Sequence, residues 1–171
     1  MHPQNTPLAS DRRAAPASVD LNLPRLGQGF VWQELSVGQR FRTFRRTVTE
    51  TDLASFIGAT AMLEANVIDD GYKDGAMARR PVPGALTYAL IEGFILQTMI
   101  QGTGLAMLEL HQKILVPVRV GDTIEAVVEV TEIRPTSKSG RAVVTSRIDV
   151  FNHQGVMVMT YTATRLLAGR S

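Results

Sequence analysis

The chain has 171 residues, 44% of them hydrophobic and 20% charged, which suits one globular domain with one core. Eighteen Lys/Arg against sixteen Asp/Glu leave a formal charge of +2, too small for a broad basic surface, and this argues against nucleic acid as a partner. With no cysteine there is no disulfide, no thiolate zinc site and no cysteine nucleophile; the three histidines, His2, His111 and His153, lie too far apart for a metal motif.

Residues 1–28 are rich in Pro, Ala, Ser and Arg and lack the apolar stretch of a signal peptide, so they read as a flexible arm or a strap on a partner subunit. The domain then spans 29–171, and a cytoplasmic protein is expected. Phe41–Val48 has strand-like content, with Arg42, Arg45 and Arg46 marking an edge or a partly solvated strand. Thr49 followed by Asp52 resembles a capping box and opens a short helix through Leu53, Phe56 and Ile57 that Gly58 can end. The pattern weakens from Ala59 to Arg80, where Asp69-Asp70-Gly71 signals a turn.

Pro81 and Pro83 hold off helix until Gly84. The stretch Ala85–Ile100 is apolar almost all round, yet its 16 residues include Glu92, too short and too charged for a membrane span. It reads as a buried helix. An apolar segment, Leu105–Leu110, leads to His111. Strands are expected at Ile114–Val118, Thr123–Ile133, around Ala142–Val150 and at Val156–Leu167, with turns at Gly121-Asp122, Arg134–Gly140 and Asn152–Gly155. One buried helix followed by an antiparallel meander is an α+β domain, a sheet curled around a central helix. One sheet cannot close around that helix, so a homodimer is expected to complete the enclosure.

Five elements in order carry a likeness. Leu35-x-Val37-Gly38, Thr47-Val48-Thr49-Glu50-x-Asp52, the Pro83-Gly84 start of the apolar helix, Pro117-Val118-x-Val120-Gly121-Asp122-Thr123 and Asn152-x-Gln154-Gly155 together resemble the MaoC-like acyl dehydratases of the hotdog fold. The resemblance covers about residues 30–168. It implies an acyl thioester of coenzyme A or an acyl carrier protein as substrate and a dimer as the minimum unit; no cofactor, metal, membrane or nucleic acid is expected. The family's hydratase motif, Asp-x-Asn-Pro-x-His then x-Asp-x-x-Tyr, departs here. With Asp69 and Tyr72 as anchors, Met62 stands at the Asp position, Glu64 at Asn, Ala65 at Pro and Val67 at His. Neither Met62 nor Val67 can move a proton, so the ordinary hydratase dyad is missing.

The remaining candidates cluster around the apolar helix. Backbone amides near Gly84 and Ala85 sit at a helix start, where a thioester carbonyl can be polarised, and the same Pro-Gly pattern also serves simply as a turn. Glu92, among Leu90, Ile91, Phe94 and Ile95, is either a perturbed acid/base or half of an ion pair with an arginine such as Arg79 or Arg80. Glu64 and Asp69 flank the vacant dyad as substitutes or as solvated loop carboxylates. Arg79 and Arg80 are candidates for coenzyme A phosphates, and Tyr88, one turn before Glu92, for substrate binding. Met99, Met107, Met157 and Met159 read as core or tunnel fillers. The Gly84 to Glu92 spacing is similar to that in hotdog thioesterases. Eight residues give about 12 Å of helix rise, so joint action on one carbonyl needs two helices across a dimer. Three functions follow: a hydratase or dehydratase with non-standard catalytic residues, a thioesterase using Glu92 and the Gly84 amide, or an acyl-CoA-binding or assembly subunit without catalysis.

Overall fold

The computed structural model describes residues 26–69, 71–72, 81–137 and 140–170, so the expected arm up to residue 25, Asp70, Arg79 and Arg80 lie outside the described residues. Helices α1 (Glu50–Thr60), α2 (Ala65–Ile68) and α3 (Gly84–Gln97) accompany strands β1 (Arg40–Arg42), β2 (Arg46–Thr47), β3 (Gly104–Ile114), β4 (Thr123–Pro135), β5 (Arg141–Asn152) and β6 (Met157–Ala168). The strands form one antiparallel sheet in the order β1-β4-β5-β6-β3, with β2 also on β4.

The alternation expected in the last three strands sets the core. Ile124, Ala126, Val128 and Val130 of β4, Ile148 and Val150 of β5, and Tyr161, Ala163 and Leu167 of β6 are buried. They share one cluster with Leu86, Ile91 and Ile95 of α3. Residues between them on β4 and β5 face outward and form surface ion pairs such as Arg147 with Glu129. The sheet therefore holds α3 on one face and is wet on the other.

Three expectations need correction. First, Phe41–Val48 is two short strands and not one. Thr43 interrupts it: its N–H bonds to the Ala126 carbonyl at 2.9 Å while its Oγ1 accepts from the Ala126 N–H at 2.8 Å. A side chain has replaced a ladder carbonyl, and the backbone kinks there. Second, the first helix passes Gly58 and ends at Thr60, closed by Ala61 in the left-handed region at φ 54°. Third, no strand covers Ile114–Val118. The strand is the apolar segment before it, β3, and it ends at Ile114, beyond which Leu115 and Val116 both donate to the Val158 carbonyl. Pro117 has no N–H with which to continue a ladder.

The position of β3 matters most. It pairs with β6 and not with the next strand in sequence, so it ends the sheet opposite β1. Its second edge pairs with no described strand, and Leu105, Met107, Leu108, Leu110 and Ile114 are exposed along it. Beside it, α3 buries Leu86, Thr87, Ile91, Glu92 and Ile95 but exposes Ala85, Ala89 and Leu96. The sheet thus covers one side of an apolar helix and leaves a stripe uncovered next to an open strand edge.

The expected capping box is present. Asp52 N–H donates to Thr49 Oγ1 at 3.2 Å, and Thr49 N–H donates to Asp52 Oδ2 at 2.9 Å, while Arg46 binds the other carboxylate oxygen. Burial alone pushes the Asp52 carboxyl up, but the Thr49 hydrogen bonds and the Arg46 charge together bring it below its usual value. A carboxylate with a depressed folded-state pKa contributes stability above its unfolded pKa and loses it as pH falls through the folded one. Thr49→Ala is expected to cost about 1 kcal/mol in urea unfolding at neutral pH. Asp52→Asn is expected to flatten the acid limb of the stability profile, and an unchanged acid limb contradicts this role.

Candidate functional site

A cavity of about 520 Å³ lies between α3 and the first half of β3. Ala89, Leu96, Ile100, Leu105 and Met107 give it apolar walls. Among the described residues its charged lining is Glu92 and Arg165 alone, and Tyr88 adds a phenol. The helix supplies Tyr88 and Glu92 one turn apart, on one face, because residues four apart stack along a helix. Residues two apart in a strand share a face, so Tyr161, Ala163 and Arg165 of β6 all point at α3.

Glu92 is 7% exposed and Arg165 5%. Arg165 Nη2 donates to Glu92 Oε1 at 2.6 Å, and the Tyr161 hydroxyl donates to the same oxygen at 2.7 Å. Both donors converge on Oε1; among the described residues Oε2 takes no hydrogen bond. Tyr88 packs edge-on against Tyr161 with ring centroids 5.3 Å apart. Burial first, and then the Glu92 charge, raise the pKa of Tyr88. The same two causes, with the hydrogen bond to Glu92, push Tyr161 well above the usual tyrosine range. Both phenols are therefore protonated donors at neutral pH.

Glu92 is thus the ion-paired residue that one of its two sequence readings describes, but its partner is Arg165 on β6. The pairing with Arg79 or Arg80 falls on residues outside the description. Sequence reasoning missed Arg165 and Tyr161. Their signal was a cation at an inward position of the alternating run Met159, Tyr161, Ala163, Arg165, Leu167, where an arginine is expensive unless paired.

The other candidates lie apart from this cavity. Gly84 opens α3 with Pro83 before it, and Pro83 offers no side-chain cap. A Cβ at Gly84 would lie 2.2 Å from Ile114 Cδ1, so the space that a bare glycine leaves is taken by that side chain. Ala85 is exposed beside it. Glu64 precedes α2 as an exposed residue, and Asp69 closes α2, where its Oδ1 accepts from the Gly71 N–H at 2.8 Å as a turn residue does. Met62 is 42% exposed, whereas Val67 is 8% exposed and packs with Leu53 in the core. Val67, which the sequence reading set at the motif's histidine, is here a buried apolar residue. His111 Nε2 lies 2.8 Å from Glu109 Oε1 on the surface of β3, His153 pairs with Asp122, and neither lines the cavity. No group of three metal-ligating side chains occurs among the described residues, and none of their helices is long and apolar enough to cross a membrane.

No family model matches the sequence, and no curated protein matches it significantly. Solved structures do. An unliganded (R)-hydratase from Pseudomonas aeruginosa superposes with TM-score 0.70 at 26% identity, covering 84% of this chain and 88% of the other. A MaoC-like dehydratase from Rhodospirillum rubrum gives TM-score 0.76 at 22% identity over 84% of this chain and 99% of that one. A double-hotdog protein from Mycobacterium tuberculosis gives 0.69 at 17% identity, over 86% of this chain and 46% of its own. The fold is the hotdog fold, and its solved neighbours include MaoC-like dehydratases and (R)-hydratases.

Removing one member of a buried ion pair strands the other charge in a low-dielectric site. Glu92→Ala and Arg165→Met are each expected to cost about 3–5 kcal/mol in chemical denaturation. The double variant Glu92→Gln/Arg165→Met is expected to recover most of that loss. Additive losses in the double variant would contradict the pairing.

Proposed function

We propose that this MaoC-like hotdog protein binds an acyl thioester and belongs among the hydratase/dehydratase-type proteins, with the acyl chain lodged between α3 and β3. The observation that carries this reading is the apolar cavity of about 520 Å³ whose polar groups are confined to Tyr88 and the Glu92–Arg165 pair. Its size falls within the range of small-molecule sites, and its walls suit a hydrocarbon chain. Hydration of an enoyl thioester places the water oxygen on the β-carbon and a proton on the α-carbon. That needs one group to take a proton and one to deliver it. Met62 and Val67 supply neither. Within the cavity Tyr88 can donate, and Glu92 can accept through its unengaged oxygen.

A second copy completes the site in this reading. The open edge of β3 and the exposed Ala85, Ala89 and Leu96 of α3 are the surfaces that a homodimer would cover. Whether the thioester belongs to coenzyme A or a carrier protein rests on residues such as Arg79 and Arg80, outside the described set. The thioesterase reading draws less support, because Ile114 occupies the space beside Gly84 that a carbonyl at the helix start would need. The non-catalytic reading keeps one specific observation in its favour, the burial of Val67 in the core at the histidine position.

Incubation with enoyl-CoA substrates of several chain lengths, followed by enoyl absorbance and by free thiol, separates these functions. Loss of enoyl absorbance without thiol release is the expected result. Glu92→Gln keeps an oxygen for Tyr161 and Arg165 and is expected to lower that turnover by about 100-fold or more. Calorimetric binding of acyl-CoA without turnover establishes the binding-subunit reading instead, and no binding at any chain length overturns the proposal. Sedimentation is expected to show a dimer that Leu110→Lys, at the open edge of β3, weakens.

A further inference from the structure

We infer that the α3–β3 cavity moves a carbon–carbon double bond along its ligand: Glu92 carries a proton from the α-carbon to the γ-carbon of a β,γ-unsaturated carbonyl compound while Tyr88 holds the carbonyl oxygen. This rests on the reading of the cavity as an acyl site. It goes beyond that reading by assigning a second reaction, an isomerisation, which consumes no water.

Two groups able to move or share a proton face the cavity unpaired. Glu92 Oε2 takes no hydrogen bond among the described residues and, unlike Arg165 Nε, is not enclosed by protein. Glu92 lines the cavity, so this oxygen opens into it. The Tyr88 hydroxyl also lines the cavity without a hydrogen bond among the described residues, and it too is not enclosed. Arg165 stays protonated and moves no proton. The described lining thus supplies one base and one neutral donor.

Hydration uses both of them on proton traffic, one for the water and one for the α-carbon, and leaves the carbonyl oxygen without Tyr88. Double-bond migration needs Glu92 alone, acting twice. The carboxylate takes a proton from the α-carbon, whose bonding electrons pass into a dienolate. The carboxylic acid so formed returns that proton to the γ-carbon. One α C–H bond breaks, one γ C–H bond forms, the double bond moves from β,γ to α,β, and nothing is added or lost. The two carbons are separated by a single atom, within the swing of one carboxylate oxygen. Tyr88 remains free to donate to the oxygen on which the dienolate charge collects.

The order of residues along α3 fits this ligand. Tyr88, Glu92, Leu96 and Ile100 line the cavity at intervals of four residues, the last just beyond the helix end. Tyr88 and Glu92 are separated by about 6 Å of helix rise. A ligand along this face meets a donor, then a base, then apolar wall, the order of carbonyl oxygen, reacting carbons and hydrocarbon tail. The charges fit as well. Arg165 pairs with ionised Glu92 at 2.6 Å. Once Glu92 holds the proton, the negative charge lies on the dienolate, so the site's net charge is unchanged through the step. A cation fixed in advance stabilises that anion as it forms. Stability alone does not account for the pair, since its replacement by apolar side chains is often neutral or stabilising.

The test uses the full-length protein, 3-octenoyl-CoA, and oct-4-en-2-one, a ketone with the same β,γ double bond and no thioester. Conjugation is followed by absorbance, and products are identified by NMR. Both compounds are expected to become α,β-unsaturated before any hydroxy product forms. Deuterium placed on the α-carbon is expected to reach the γ-carbon; its complete loss to solvent overturns the single-carboxylate shuttle. Glu92→Gln is expected to lower the isomerisation about 100-fold or more. Tyr88→Phe keeps the ring against Tyr161, so it tests the reaction even where Glu92→Gln fails to fold, and is expected to lower it about 100-fold. Full activity in either variant overturns the inference. Conversion of the ketone but not of the thioester refutes the thioester reading and leaves the isomerisation standing. Hydration of 2-octenoyl-CoA with no conjugation of either β,γ compound overturns the inference and leaves the proposed function standing.

Discussion

A helix that is apolar on nearly every side has to be covered on more sides than one sheet face can reach. In this protein that constraint organises everything else. The 14 residues of α3 press Leu86, Ile91 and Ile95 onto the inward faces of β4, β5 and β6. The rest of the helix, the stripe through Ala89 and Leu96, faces the last strand of the sheet, which has an open edge of its own. An exposed apolar helix face beside an open strand edge is a surface that proteins do not leave bare. The same geometry creates the cavity, because β3 ends the sheet before it can wrap α3. The open edge and the cavity have one cause.

The cavity's chemistry follows from where the sheet alternation places β6. Three successive inward positions, Tyr161, Ala163 and Arg165, bring two donors and a small residue against α3, and Glu92 is the acceptor they converge on. Ala163 is what makes room: a large side chain between the two donors would push the helix away from them. A carboxylate so held is fixed in orientation, with one oxygen engaged and the other available to a ligand. Its role is set as much by strand β6 as by the helix that carries it.

The sequence announces the helix, its start after Pro83, the capping box at Thr49 and the three long strands, because each has a local cause: a proline, a hydroxyl at the right spacing, or strict alternation over ten or more residues. It hides β3. An end strand with little burial on either face has no reason to alternate, and Leu105, Met107, Leu108 and Leu110 fit no single period. It also hides the partner of Glu92. That partner lies 73 positions away, and only the register of β6 against the helix brings it near. The short strands β1 and β2 were legible as strand content, but the break at Thr43 depends on a side-chain acceptor for Ala126, a tertiary event.

Positions 62 and 67 show why a shared fold does not fix a shared reaction. Val67, read from the sequence as standing at the motif's histidine, is buried and belongs to the same core cluster as Leu53. It also lines a small cavity between α1 and α2 with Leu53, Ala54 and Ile57. Polar groups able to act on a ligand lie about one and two turns along α3, at Tyr88 and Glu92, beside Arg165. The polar groups of the cavity therefore come from the helix and from the strand behind it.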